Sequence, residues 1–289
     1  MHFSRLWNHR GLRFHLLMAL ATVGTGTVSF VSLQTGSVRV APVGPILFGV
    51  FVLVAMLSPL PAWHHQQGRE LERDAALAIP WAFILSTLLT ITFYSAGRTG
   101  FPLRDSLFRS LDHLVGYDST AVTAWAGRVG IASPMEHCYY LLQPLMLVAL
   151  LLPALTGKRG ARIFLLANLV ALPIVGILYT LLPAVGPWYP NHFVPGIMQL
   201  QCQEDVLRLR ATGVAQGVGI VCFPSCHVLW AVFCSAALWD FRWLRIPVAI
   251  FAGLIILSTL TTGWHYLVDV IAGLLLAGFS LVMAGRLDS

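Results

Sequence analysis

Two histidines stand at the starts of apolar runs in company that fits them for chemistry. His227 closes Cys222-Phe-Pro-Ser-Cys-His227, and His265 lies within Thr261-Thr-Gly-Trp-His265-Tyr-Leu-Val-Asp269. Asp269 follows His265 by four residues, the spacing that puts two side chains on one helical face. A carboxylate inside an apolar span is costly and usually functional. A histidine held by a carboxylate has its tautomer and ring orientation fixed, which frees its other nitrogen to attack an electrophile. His265 with Asp269 fits that nucleophilic role, and His227 fits a general acid that protonates a departing oxygen. Pro224-Ser225 opens the segment carrying His227, so Ser225 and the backbone N–H groups after it form an anion site of the kind helix N-termini supply. Two histidines and an anion site point to phosphoryl transfer, in which a protein contributes mainly positioning and charge stabilisation.

The elements that position these residues are membrane helices. With 57% hydrophobic and 10% charged residues over 289 positions, too little polar surface exists to cover a water-soluble globule. Apolar runs of about 20 residues, enough to cross ~30 Å of hydrocarbon, fall at 12–34, 43–62, 75–95, 135–156, 161–183, 222–240, 244–262 and 264–285. The expected fold is an all-α integral membrane protein of about eight transmembrane helices, with an N-terminal helical pair in residues 1–74 and a membrane domain in 75–289. The run at 12–34 is too long for a signal peptide and has no clear small-residue cleavage site, so it is read as a retained span. The formal charge of +6 comes from arginines scattered through short loops, which excludes a nucleic-acid partner and reads as a topology signal. Sorting the basic residues over eight crossings puts eleven on the side of the termini, among them Arg5, Arg69, Arg159 and Arg245, against seven on the other. Both termini are therefore expected in the cytoplasm and both histidine motifs outside.

Other stretches fill in the surroundings. Between 96 and 133, Leu103, Leu107, Leu111, Leu114 and Val115 recur at helical spacing against Arg104, Asp105, Arg109 and Asp112, which predicts an amphipathic helix in the interface, either a cover for the site or a surface strut. Ser133-Pro-Met-Glu136 has the form of a capping box, and His137 beside it reads as an interfacial histidine. Pro183, Pro187 and Pro190 end the fifth span, with Trp188 and Tyr189 either anchored in the headgroup layer or forming the rim of a substrate pocket. Arg208 and Arg210 are the cations nearest in sequence to the His227 motif and are suited to bidentate phosphate contacts. Gly213, Gly217 and Gly219 lack the βαβ context of a dinucleotide fingerprint. The five cysteines show no zinc-ligand spacing, and a Cys202–Cys222 disulfide is one option if their loops are extracytoplasmic.

Phe223-Pro-Ser-Cys-His227 and the stretch from Ser258 to Gly273 resemble the second and third signature motifs of the type 2 phosphatidic acid phosphatase superfamily. The resemblance implies a six-helix phosphatase-like core and an outward-facing, metal-independent site without a cofactor. It also implies that His265 forms a phosphohistidine, Asp269 orients it, His227 is the general acid and base, and Ser225 binds phosphate. Two features depart from the pattern: the segment from Pro183 to Pro190 stands in place of the first motif, and Thr259 stands where the third motif carries an arginine. Arg210 and Arg208 are the candidate replacements for the lost cations. Pro183-Ala-Val-Gly-Pro-Trp-Tyr189 and Gly263-Trp-His-Tyr266 are similar to the branch containing inositol phosphorylceramide synthases; Asp112 to Asp118, Tyr140 and Gln143 look like its bacterial members. The implied partner is a lipid phosphate or phospholipid, and the implied place a bacterial inner membrane with a periplasmic site. Three functions stay open: a lipid phosphatase, a transferase moving a phospho-headgroup to a lipid alcohol, and a proton-coupled transporter with His227, His265 and Asp269 as its relay.

Overall fold

A computed structural model describes residues 10–35, 37–40, 77–215 and 221–289. Among them the chain forms eleven α-helices and one pair of two-residue strands. The helices are α1 (Arg10–Gln34), α2 (Ala78–Gly97), α3 (Asp105–Leu114), α4 (Ser119–Arg128), α5 (Ala132–Tyr140), α6 (Leu142–Leu155), α7 (Gly160–Leu181), α8 (Ile197–Thr212), α9 (Cys226–Ala237), α10 (Arg245–Thr261) and α11 (Leu267–Asp288). Strands β1 (Arg39–Val40) and β2 (Val214–Ala215) pair in parallel.

Among the described residues, five segments are long and apolar enough to cross a membrane: Arg13–Gln34, Ile79–Gly97, Ala132–Leu155, Gly160–Leu181 and Leu267–Asp288. Two more helices, α9 and α10, are apolar but shorter. The 12 residues of α9 rise about 18 Å, well short of the hydrocarbon thickness. The run expected at 222–240 thus supplies a half-length helix preceded by a loop, and this brings His227 down into the bundle. The span expected at 43–62 lies outside the described residues.

The run expected at 135–156 is interrupted at Leu141, between α5 and α6. Pro144 causes the break: it has no N–H for the carbonyl of Tyr140, and its ring crowds that carbonyl. The expected capping box at its start does not form. Ile131 caps α5 without a side-chain hydrogen bond, and Ser133 sits inside the helix, its carbonyl 2.7 Å from His137 Nδ1. Starting at Ala132 leaves Pro134 in the first turn, where a missing N–H costs nothing.

One buried apolar cluster joins α1, α2, α6, α7, α9, α10 and α11, with Met18, Leu166, Leu229, Phe233 and Ile255 among its most enclosed members. Backbones approach closely where α7 begins: a Cβ on Gly160 would lie 2.0 Å from the carbonyl oxygen of Ala237. At the end of the bundle opposite the histidines, Arg162 Nε pairs with Asp288 Oδ1 at 3.0 Å, both side chains nine-tenths buried. All five cysteines are free, so no Cys202–Cys222 disulfide is present.

Helix α3 has the expected two faces, turned so that its polar one meets the protein. Asp105, Phe108 and Asp112 are buried, while Leu107, Leu111, Leu114 and Val115 are exposed. That orientation suits a helix lying with its leucines toward lipid.

Candidate active site

The site is assembled where α9 and α11 begin. Between α10 and α11 the chain folds back so that the N–H groups of Trp264 and His265 both donate to Thr259 O, at 3.0 and 3.1 Å. Gly263 makes the reversal with φ +73°, and a Cβ there would meet the Phe193 ring at 2.5 Å. Thr259, which stands where an arginine is expected, is thereby used as a backbone acceptor beneath His265. Asp269 sits in the first turn of α11 and is fully buried. Its Oδ2 accepts from the Tyr266 N–H at 2.9 Å and the Cys222 thiol at 3.1 Å, and lies 3.4 Å from His265 Nδ1. Burial pushes the Cys222 thiol well above its ordinary value, and neighbouring Asp269 adds to the effect, so the group stays an S–H donor.

His227 is held by the start of α9. The Ser225 N–H donates to Asp269 O at 3.1 Å, which ties the two histidine segments together, and Ser225 Oγ accepts from Val228 N–H at 3.4 Å as the helix cap. The His227 ring stacks on Tyr139 with centroids 3.9 Å apart, and Trp264 stacks on Tyr139 with centroids 5.0 Å apart. The two histidine rings are 5.9 Å apart between centroids. Both open onto a cavity of about 240 Å³ lined also by Tyr139, Trp188, Cys222 and Trp264.

Two carboxylates of α3 fix the frame around this cavity. Asp112 accepts from the N–H groups of Leu267 and Val268, at 2.9 and 3.0 Å, capping α11 two residues after His265. Asp105 accepts from the N–H groups of Val185 and Gly186, at 3.0 and 2.9 Å, and lies 3.2 Å from the Tyr266 hydroxyl. Between them Phe108 stacks on Phe223. Burial raises both carboxyls above their ordinary value, outweighing the lowering by these hydrogen bonds. Arg109 Nη2 holds the same loop through the carbonyls of Pro187 and Tyr189.

The structure therefore brings His227, His265 and Asp269 together, with Trp188 on the cavity wall. The other expected residues lie elsewhere. Ser225 is fully buried as the cap of α9 and does not line the cavity. Arg208 pairs with Asp205 at 3.1 Å, Arg210 Nη2 donates to Phe101 O, and neither lines the cavity, nor does Tyr189. Tyr139, Cys222, Asp105 and Asp112 surround the site although sequence alone gave none of them a role in it. Cys222 stood in the His227 motif and Asp112 in the branch resemblance, and positions 105, 108 and 112 share one helical face; Tyr139 carried no signal.

Among the described residues one group of donors is close enough to share a metal ion: Cys222, His265 and Asp269, whose ligand atoms lie within 4.8 Å of one another. In the structure Asp269 Oδ2 already joins the other two directly.

No curated protein and no solved structure matches the chain. A family model described as the PAP2 superfamily matches residues 107–283, from within α3 to within α11, more than half of the chain and every residue of the site just described except Asp105. The chain belongs to the PAP2 superfamily, whose membership supports phosphatase-type phosphoesterase chemistry.

Proposed function

We propose that the protein cleaves a lipid phosphate ester through a phosphohistidine formed on His265. The observation that carries this reading is the placement of His265 Nδ1 against the buried Asp269 carboxylate while its ring faces His227 across the cavity. With Nδ1–H donated to Asp269, His265 Nε2 carries the lone pair that attacks phosphorus. The P–O bond to the lipid alcohol breaks, and His227 gives its proton to the departing oxygen. An incoming water or alcohol then returns a proton to His227 as its oxygen attacks phosphorus and the P–N bond breaks. Asp269 stays ionised throughout and stabilises the charged imidazole. The N-terminus of α9, capped by Ser225, offers backbone N–H groups to the phosphoryl oxygens.

The acceptor decides between hydrolysis and transfer. The aromatic lining of Tyr139, Trp188 and Trp264 favours a transferase reading, similar to the inositol phosphorylceramide synthase branch, because it offers apolar surface to a lipid alcohol and little to bulk water. A proton relay would want ionisable groups spread along the spans, whereas His227, His265 and Asp269 sit together at the starts of α9 and α11. The positive-inside bias supports an extracytoplasmic site.

The test is to incubate the purified protein, with a chelator present, with labelled lipid phosphates and phosphodiesters, with and without added lipid alcohols. Phosphate release that vanishes in His265→Ala identifies a phosphatase, and a phosphorylated alcohol identifies a transferase. Equal turnover by wild type and His265→Ala, or none from any of these lipids, would sink the proposal.

A further inference from the structure

Arg98, Arg104 and Arg210 all border the connector between α2 and α3. Arg98 ends α2, Arg104 immediately precedes α3, and Arg210 lies in the last turn of α8. Arg210 Nη2 donates to Phe101 O, on the connector between the other two. Arg98 Nη1 packs over Gly213, just past the end of α8: a Cβ there would lie 2.4 Å from that nitrogen and 2.6 Å from Ser37 O, and φ is +78°. Glycine at this position is what leaves room for the guanidinium. The same connector is pinned to the end of α7, through Thr99 Oγ1 to Thr180 O and the Arg104 N–H to Pro183 O. This is the end of α7 from which the chain runs on to Trp188.

Each of the three keeps one buried guanidinium nitrogen without a hydrogen-bond partner: Arg98 Nη1, Arg104 Nε and Arg210 Nη1. Nor does any described carboxylate pair with them. Asp105 uses its oxygens on Val185, Gly186 and Tyr266, while Glu204 and Asp205 pair with Arg208. The three arginines are half-buried, with one enclosed nitrogen each; a buried cationic N–H left unpaired is expensive, and three around one connector call for an oxyanion with several acceptor atoms. Arginine forks match phosphate oxygens in particular.

We propose that the surroundings of this connector form a phosphate-binding site separate from the histidine cavity, which none of the three arginines lines. Its ligand is a phosphate group at headgroup depth, carried by an anionic lipid or free in solution. The inference does not depend on the chemistry assigned to His265.

The experiment uses the full chain carrying His265→Ala, so that nothing is turned over, in phosphatidylcholine nanodiscs. Thermal unfolding is followed with inorganic phosphate added, or with phosphatidic acid included in the disc. The transition is expected to rise with at least one of the two, and Arg98→Gln/Arg210→Gln to weaken that binding at least tenfold. A rise with inorganic phosphate identifies the free anion as sufficient, and a rise confined to phosphatidic acid identifies the lipid headgroup. Without either ligand, the double variant is expected to unfold at or above the temperature of its parent, because it loses the enclosed, unpaired N–H groups of two half-buried arginines. A marked fall there would mean that the arginines are satisfied within the protein. That fall, an undiminished response in the double variant, or no response in the parent overturns the proposal.

Discussion

At Asp269 a single oxygen, Oδ2, meets the Tyr266 N–H, the Cys222 thiol and His265 Nδ1. It therefore both caps α11 and sets the tautomer of the histidine. Those two tasks separate on substitution. Asp269→Asn keeps an oxygen for the Tyr266 N–H but removes the charge that holds Nδ1–H, so the variant should fold while turnover falls by about 10²- to 10⁴-fold. Turnover and the thermal transition, measured on the same preparation, check this; loss of both together would assign Asp269 to folding alone.

At the level of elements, α3 turns two acids inward onto backbone that leads into the site. Asp112→Ala leaves the N–H groups of Leu267 and Val268 without their acceptor, at a cost of about 2 kcal/mol of stability. It should also lower turnover, because His265 lies just before that capped turn. Asp112→Asn retains an acceptor and is expected to lose clearly less of both, as thermal unfolding and phosphate release would show. Asp105 makes a prediction about pH. Its carboxyl is raised in the folded protein by burial, so the folded state prefers the protonated form. That preference stabilises most at low pH and fades as pH rises from the ordinary carboxyl value of 3.8 through the raised one. Asp105→Asn lacks this dependence, so its thermal transition relative to wild type should be more favourable at pH 7 than at pH 4. An unchanged difference between the two pH values would mean that Asp105 titrates as it does in the unfolded chain.

On the scale of the whole molecule, the first helix is part of the bundle. Phe14 and Met18 of α1 are buried in the same cluster as α7, α9 and α11. Ser29 Oγ donates to Leu88 O at 2.9 Å, and Trp81 Nε1 to His15 Nδ1 at 3.0 Å. We propose the division at residues 74 and 75 as a boundary of the phosphoesterase unit, since the family match begins well after it. A chain of residues 75–289 should retain the site yet unfold at a lower temperature, because it exposes the surface that Phe14 and Met18 cover. An unchanged thermal transition would make α1 and α2 independent neighbours.

The membrane class and the contact between His265 and Asp269 were legible in the sequence because both rest on local patterns. Apolar runs are set by the hydrocarbon thickness, and His265 and Asp269 lie within one turn of each other. The amphipathic pattern of α3 was legible for the same reason, though which face would be covered was not. Long-range placement belonged to the tertiary structure. Proximity in sequence put Arg208 and Arg210 near His227, yet Arg208 pairs with Asp205 one turn away on α8, and folding carried Arg210 to Phe101. The reverse holds for Asp105 and Asp112, 161 and 155 residues from the turn they support and joined to it only when α3 packs against the start of α11. Tyr139 likewise reaches His227 through the packing of α5, which no periodicity within either segment encodes. Local spacing thus determined which groups could be proposed to react, while the packing of distant helices decided what holds them and what surrounds them.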